Sequence, residues 1–415
     1  MKKFYAWYQK HITGAIFTGL ILGILTGLLL ADRFTPILTV TGVIGGIYMN
    51  ALNMMIFPMV FCSIVMGICS IGNAKTTGKI TGYSMIFFLC TTAIASAVGI
   101  IIPRLIRLGK GVHFEMATSD IQATEMTSIL DTIKNLIPSN PVKAFAEGNM
   151  LQVLVFAVVV GFTLIAVGEK GQPLLNVIDS LNEVCLKVIS TVMYFTPIGV
   201  FCLMTNVVAV NGADIIGKLA LIIGVAYIGY IIHVVVVYGL SVKFLAKMSP
   251  LAFFKGIAPA MITAFTTTSS NATLPVNIEC CNKMGAEPEI SSFVLPLGAT
   301  INMDGTAIYQ AVCAVFIACC YGVQLTLGDM AMIVLTATLA SVGTAGVSGA
   351  GMIMLAMVLT QVGLPVEGIA IIAGVDKIFD MGRTTLNITG DATCALFISR
   401  LEREKAAKKA AKAAK

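Results

Sequence analysis

The chain has 415 residues, 57% of them hydrophobic and only 12% charged, with a formal net charge of +6. That is far more apolar than a soluble domain needs to fill its core, so composition defines a polytopic membrane protein whose first partner is the lipid bilayer, and it gives no support to nucleic-acid binding.

The first apolar run, 12–30, lies between Lys2, Lys3 and Lys10 on one side and Asp32 and Arg33 on the other. No small-residue cleavage site follows it, so it reads as a retained helix and not as a removed leader. Further apolar runs occupy 41–71, 85–103, 151–167, 185–210, 215–240, 291–321, 330–364 and 368–398. About 20 residues suffice to cross a bilayer, so the longer runs must tilt, project or break. The interval 110–149 is too polar to span and is expected to form an external loop carrying a short helix. Lys75, Lys79, Lys170, Lys243, Lys247, Lys255 and the tail from Arg400 fall on the side of the N-terminus, which the positive-inside rule assigns to the cytoplasm. Arg104, Arg107 and Lys110 fall on the opposite side. Much of the net charge sits in Lys405, Lys408, Lys409, Lys412 and Lys415, a solvated cytoplasmic tail near anionic head groups. The eleven cysteines follow no disulfide or metal spacing and read as reduced core thiols. His233, alone in an apolar run, reads as a satisfied packing residue and not as a ligand.

After Ser249 the texture changes. Two segments place small polar or glycine-rich sequence inside apolar flanks: Thr266 to Pro275 in one and Ser341 to Gly351 in the other. Backbone can leave the helix at membrane depth only where protein or a wet cavity satisfies its N–H and C=O groups. Each segment therefore reads as a re-entrant hairpin. Each is followed by a polar-bearing helix, first 291–321 and then 368–398, and such a repeated unit points to an inverted-repeat transporter with its site between the two tips.

The last helix carries Asp376, Asp380, Arg383, Asn387 and Asp391, which at about 100° per residue fall on one narrow stripe with Thr384 at its edge. Ionisable groups in a membrane segment cost roughly 2.5–3.5 kcal/mol each, so they face an interior and mark an ion or substrate path. Asn302 and Asp304 sit just before Gly305, where the helix is expected to unwind and release carbonyls. With Asn387, Asp391, Gly298 and Thr300 these are hard oxygen donors suited to a hard cation such as sodium. Arg383 offers a planar fork for a carboxylate, and Asp380 offers a partner for an ammonium. Thr384, Asn387 and the tip donors Ser269 and Ser270 complete a set that fits a ligand with one amine and two carboxylates.

At these residues the chain resembles the dicarboxylate/amino acid:cation symporters, the family of the glutamate and aspartate transporters. The motifs are Thr267-Thr-Ser-Ser with Thr273-Leu-Pro275, the run from Leu295 to Thr306, Gly343-Thr-Ala-Gly346 and the run from Asp380 to Asp391. The resemblance implies an all-α polytopic membrane protein of eight transmembrane helices plus two re-entrant helical hairpins, built as inverted repeats, assembled as a homotrimer in a prokaryotic inner membrane and working as an elevator. The implied divisions are 12–73 (scaffold helices 1 and 2), 81–106 (transport helix 3), 128–210 (scaffold helices 4 and 5), 213–245 (transport helix 6), 250–284 (hairpin 1), 289–321 (helix 7), 327–364 (hairpin 2), 366–402 (helix 8) and 403–415 (tail). Both termini are then cytoplasmic.

Carried over by motif, Arg383 resembles the clamp for the substrate's side-chain carboxylate and Asp380 the amine partner. Ser269, Ser270, Thr306, Val347, Gly351, Thr384 and Asn387 resemble the rest of the substrate shell. Gly298, Asn302, Asn387 and Asp391 resemble one sodium site. Thr91, Thr92, Asn302 and Asp304 resemble a second, and the carbonyls of Thr300, Ser341, Val342 and Thr344 a third. Sodium ions are thus expected as co-transported species, with no organic cofactor.

Two departures bear on this reading. The archaeal pattern has an arginine where this chain has Thr268, and Lys377, one turn before Asp380, is the candidate to supply that charge. Phe88 stands where the pattern has a tyrosine beside the second sodium site, although Thr91 and Thr92 keep hydroxyls there. Proton-coupled members resemble Asn-Leu-Asp-Gly and end the last motif in Gly-Asn; Met303 and Asp391 favour sodium. C4-dicarboxylate carriers lack the amine-binding aspartate and neutral amino acid members lack the arginine, so Asp380 and Arg383 favour L-aspartate or L-glutamate. A passive channel is a further class that countertransport would exclude. An intramembrane aspartyl protease would need Gly-x-Gly-Asp, whereas the chain reads Ile388-Thr-Gly-Asp391, so no enzymatic activity is expected. In transport, the segment 330–364 is expected to close over the bound ligands, with Gly343, Gly346, Gly349 and Gly351 permitting the backbone to shift.

Overall fold

Proline and glycine set where the apolar runs stop and how closely they pack. The computed structural model describes residues 2–30, 35–72, 78–106, 108, 137–147, 150–341 and 350–413, and among these there is helix but no strand. Helix α1 (Lys2–Leu30) is followed by α2 (Thr35–Asn53) and α3 (Ile56–Gly72). The single apolar run 41–71 is therefore two helices. Pro58 lies in the first turn of α3, where its missing N–H costs nothing, and its ring excludes a helical carbonyl four residues earlier. The same device divides the run 185–210, with Pro197 opening the second helix.

Helix α4 spans Gly78–Leu105, and the short α5 (Pro141–Ala146) is capped by the Asn140 side chain, which accepts from the Lys143 N–H. The expected short helix in the polar interval is thus present; 109–136 lies outside the described residues. Then follow α6 (Met150–Val167), α7 (Gln172–Met193), α8 (Thr196–Asn211) and α9 (Asp214–Ile232). Helix α9 runs through a π-helical stretch, His233–Tyr238, into α10 (Gly239–Phe244). The rest is α11 (Pro250–Thr267), α12 (Ser270–Lys283), α13 (Pro288–Ile301), α14 (Asp304–Cys320), α15 (Leu327–Ser341), α16 (Ala350–Gln361), α17 (Ile369–Ala373) and α18 (Asp376–Ala413).

Among the described residues, four stretches are long and apolar enough to cross a bilayer: Lys79–Leu105, Val155–Met193, Ile215–Phe244 and Pro288–Cys320. The last is almost wholly enclosed by other helices, which is why it can carry Asn302 and Asp304. Large apolar side chains such as Ile21, Ile47, Phe162 and Ile231 face outward, as a protein solvated by lipid requires.

Helix α1 packs along α8 through Gly19, Gly23 and Gly27. A Cβ on Gly23 would lie 2.7 Å from the Phe201 carbonyl oxygen, and one on Gly27 2.8 Å from that of Thr205. In lipid, where apolar surface gains little by pairing, such small-residue seams let backbones approach and gain dispersion contact. Helices α11 to α14 wrap α18, with α4 and α9 beside them. A distinct apolar cluster of Phe253, Ile257, Leu295, Ile388 and Leu396 fixes α11 and α13 against the second half of α18. The polar stripe of α18 is thereby enclosed, and the breaks in its neighbours come to lie along it.

Candidate functional site

The five stripe residues of α18 are all buried, Arg383 to 2% of its reference exposure. Arg383 donates from Nε to Asp380 Oδ1 at 2.8 Å and from both terminal nitrogens to the two oxygens of Asp376, at 3.0 and 3.3 Å. Its guanidinium also stacks over the Tyr309 ring, 4.7 Å from the centroid. Asp376, named on the stripe but given no separate role by motif, holds the arginine at a spacing of seven residues, two helical turns. Thr384 donates to Asp380 Oδ1 at 3.4 Å.

Three helices begin beside this part of α18, two of them against Arg383 and one against Lys377. The turn between α11 and α12 is made by Thr268 in the left-handed region (φ 53°), after which Ser269 caps α12 by accepting from the Ala272 N–H at 3.2 Å. Ser270 and Thr268 are buried. Lys377 Nζ donates to Thr268 Oγ1 at 2.5 Å, so the structure joins the position that departs from the archaeal pattern to the residue expected to supply its charge. At the second end, α13 stops at Ile301 and α14 begins at Asp304, with Asn302 and Met303 outside helical geometry. The break therefore precedes Gly305, which was expected to unwind and is instead helical. Its missing Cβ serves close approach, because a methyl there would lie 2.5 Å from Arg383 Cα. The third end is α16, where a Cβ on Gly351 would lie 2.6 Å from the Arg383 guanidinium carbon. Helix N-termini carry partial positive charge and unpaired N–H groups, so this convergence favours anions.

Behind the break lies a dense set of oxygen donors. Asn302 Nδ2 donates to the Asn387 carbonyl and to Asp391 Oδ1, each at 2.9 Å, while its own Oδ1 is buried with no hydrogen-bond partner among the described residues. The Asp391 carboxylate lies against Gly298, whose Cβ it would exclude. Asn387 Oδ1 accepts from the Gly305 N–H at 2.8 Å. An orphaned amide oxygen beside a carboxylate is a fitting donor set for a hard cation. No group of three His, Cys, Asp or Glu side chains among the described residues could hold a metal ion.

Asp304 anchors a second cluster. Its Oδ1 accepts from Thr92 at 2.6 Å, and its Oδ2 accepts from Tyr238 at 2.7 Å and meets His233 Nε2 at 3.0 Å. Thr91, by contrast, turns its hydroxyl to the Phe88 carbonyl at 3.1 Å. His233 is thus a buried packing residue whose polarity is satisfied by Asp304, a partner that the sequence reading did not name. Residues five apart on an α-helix point about 140° apart, so His233 and Tyr238 would not share a face. The π-helical stretch between them widens the turn and brings both to Asp304, their rings 4.9 Å apart.

Thr306 is buried beside Met303, and Thr300 donates its hydroxyl back to the Leu297 carbonyl at 2.9 Å. Val342, Gly343, Thr344, Gly346, Val347 and Gly349 lie outside the described residues, as does the side chain of Ser341. Of the residues expected for a third cation site, the described ones are Thr300 and the backbone of Ser341 at the end of α15.

Apolar helices interrupted inside the protein beside a buried Arg–Asp cluster fit a membrane carrier. The sequence profile of the Sodium:dicarboxylate symporter family matches residues 12–401. The chain is similar to the Proton/sodium-glutamate symport protein of Geobacillus stearothermophilus (34% identity over 93% of each chain). It is also similar to the Proton/glutamate-aspartate symporter of Escherichia coli K12 (34%, covering 95% of this chain and 94% of the relative) and to the C4-dicarboxylate transport protein of Rhodospirillum rubrum (32%, covering 94% and 89%). The chain belongs to the sodium:dicarboxylate symporter family, and it is a cation-coupled symporter, not an enzyme.

Proposed function

We propose that this symporter couples entry of sodium to uptake of an acidic amino acid, L-aspartate or L-glutamate. The observation that carries the reading is the buried cluster of Arg383 with Asp376 and Asp380, against which the first turns of α14 and α16 pack. A ligand with two carboxylates and one ammonium matches that mixed set, whereas a plain dicarboxylate would leave Asp380 facing a like charge. A ligand carboxylate that takes the Arg383 fork must replace one internal carboxylate. Asp380, which takes the Nε–H while Asp376 takes both terminal nitrogens, is the one to leave, and once released it accepts from the ligand's ammonium beside Thr384 and Asn387. Ser269, Ser270 and Thr306 supply donors from the helix ends, and Val347 and Gly351 cover the ligand from the second broken segment.

Sodium occupies the oxygen sets carried over by motif: Gly298, Asn302, Asn387 and Asp391 in one, Thr91, Thr92, Asn302 and Asp304 in a second, and the carbonyls of Thr300, Ser341, Val342 and Thr344 in a third. The orphaned Oδ1 of Asn302 supports the first two. The segment 330–364 is the outer gate, stable when closed only if the sites are all full or all empty, which is what couples the ion to the solute. The wider architecture in this proposal is the eight-helix, two-hairpin elevator, assembled as a homotrimer in a prokaryotic inner membrane with both termini in the cytoplasm. The helix pair α11–α12, turning at a buried threonine beside α18, supports the first hairpin.

Proton coupling is the second reading, favoured by the buried contact of His233 with Asp304. Radiolabelled L-aspartate uptake into proteoliposomes, under an imposed sodium gradient and separately under a proton gradient, decides between them. Uptake with sodium alone supports the proposal; uptake with protons alone replaces sodium in it, and no uptake with either refutes the substrate.

A further inference from the structure

Lys377 occupies a position that helix electrostatics disfavours. It lies in the first turn of α18, at the positive end of the dipole, and is half-buried in the interior of the protein. Such a conflict with local preference requires a compensating contact. That contact is Thr268, whose hydroxyl accepts from Lys377 Nζ at 2.5 Å and donates to the Thr267 carbonyl at 2.6 Å.

Thr268 is itself in conflict with its backbone. A β-branched residue at φ 53° is strained, and glycine or asparagine would adopt the same turn more readily. Neither would offer a hydroxyl able to accept from the ammonium while donating to the preceding carbonyl. The two unfavourable choices resolve each other through one hydrogen bond, and that bond ties α18 to the turn that aims Ser269 and Ser270.

Charge adds a second consequence. Asp376, Asp380 and Arg383 together carry one net negative charge, and Lys377 brings the group to neutrality. We propose that Lys377 is a positioning residue that latches the α11–α12 turn onto α18 and, by balancing Asp376 and Asp380, makes the site prefer a ligand of net negative charge over a zwitterion. This rests on the acidic amino acid reading above and names the residue that sets its selectivity.

The test compares wild type with Lys377→Met, Lys377→Arg and Thr268→Gly in proteoliposomes. The readouts are the KM and maximal rate of labelled L-aspartate uptake, its competition by unlabelled L-serine, and amide hydrogen exchange across 267–273. Loss of a charged hydrogen bond predicts that Lys377→Met raises the aspartate KM about 10-fold and leaves the serine inhibition constant unchanged. Lys377→Arg should restore the aspartate KM to within about 3-fold, because charge and donor are kept. Thr268→Gly keeps the charge and removes the grip, so exchange at 269–273 should accelerate while the preference for aspartate over serine persists. Equal changes for both amino acids, or no rescue by arginine, would overturn the selectivity role. A wild type that takes up no acidic amino acid overturns the substrate reading separately, and exchange in Lys377→Met then decides the latch: faster exchange supports it and unchanged exchange overturns it.

Discussion

Gly305→Ala is the substitution for which the structure gives the sharpest expectation. The new methyl would lie 2.5 Å from Arg383 Cα and 2.8 Å from its carbonyl carbon, whereas carbon atoms in contact sit about 3.5–4.0 Å apart. Both are backbone atoms of a buried helix, so no side chain can swing away, and the N-terminus of α14 must retreat from α18 by about 1 Å. That retreat also stretches the 2.8 Å bond from the Gly305 N–H to Asn387 Oδ1. Overpacking contributes about 1–3 kcal/mol and the weakened hydrogen bond about 1 kcal/mol, for an expected destabilisation of about 2–4 kcal/mol. Thermal inactivation in detergent at a fixed scan rate reads the stability, and initial aspartate uptake reads the site. The variant should inactivate at clearly lower temperature and lose most uptake. Gly217→Ala is the control, because its Cβ meets nothing within 4 Å in α9 and should stabilise the helix by roughly 0.5–1 kcal/mol. If Gly305→Ala behaves like Gly217→Ala, the close approach of α14 to Arg383 is refuted.

Other substitutions separate the two clusters. Arg383→Cys should abolish uptake of acidic amino acids and, by leaving Asp376 and Asp380 without their cation, destabilise the protein by about 3–5 kcal/mol; retained aspartate uptake would contradict its assignment. Gly298→Ala drives a methyl into the Asp391 carboxylate, so the sodium concentration for half-maximal uptake should rise by about 10-fold or more, and an unchanged sodium curve would remove Asp391 from the cation site. Tyr238→Phe keeps the ring and deletes the donor to Asp304, a loss of about 1.5–3 kcal/mol visible as earlier thermal inactivation; an unshifted midpoint would mean that Thr92 and His233 suffice.

Much of the site was legible in the sequence because helical period is a local property. The stripe from Asp376 to Asp391 follows from spacing at about 100° per residue, and its burial follows from the cost of charge in a membrane. The break near Asn302 and the turn near Ser269 follow from small polar residues inside apolar runs, and the family follows from motifs that keep their order. The resemblance also suggested that Lys377 could stand in for a charge at Thr268, although nothing local tied one to the other. The two residues are 109 positions apart, and only the packing of α11 and α12 on α18 brings them within a hydrogen bond.

Tertiary structure alone decided the remainder. His233 and Tyr238 are five residues apart, out of phase on an α-helix, and became partners of Asp304 only because the chain adopts a π-helical turn there. Gly305 read as a point of unwinding because glycine weakens helices everywhere, whereas what it meets is set by a neighbour 78 residues later. Sequence thus fixes which faces are polar and where helices must stop, since these depend on neighbours along the chain. Which polar face meets which broken end depends on contacts across the chain, and those exist only once the helices have packed.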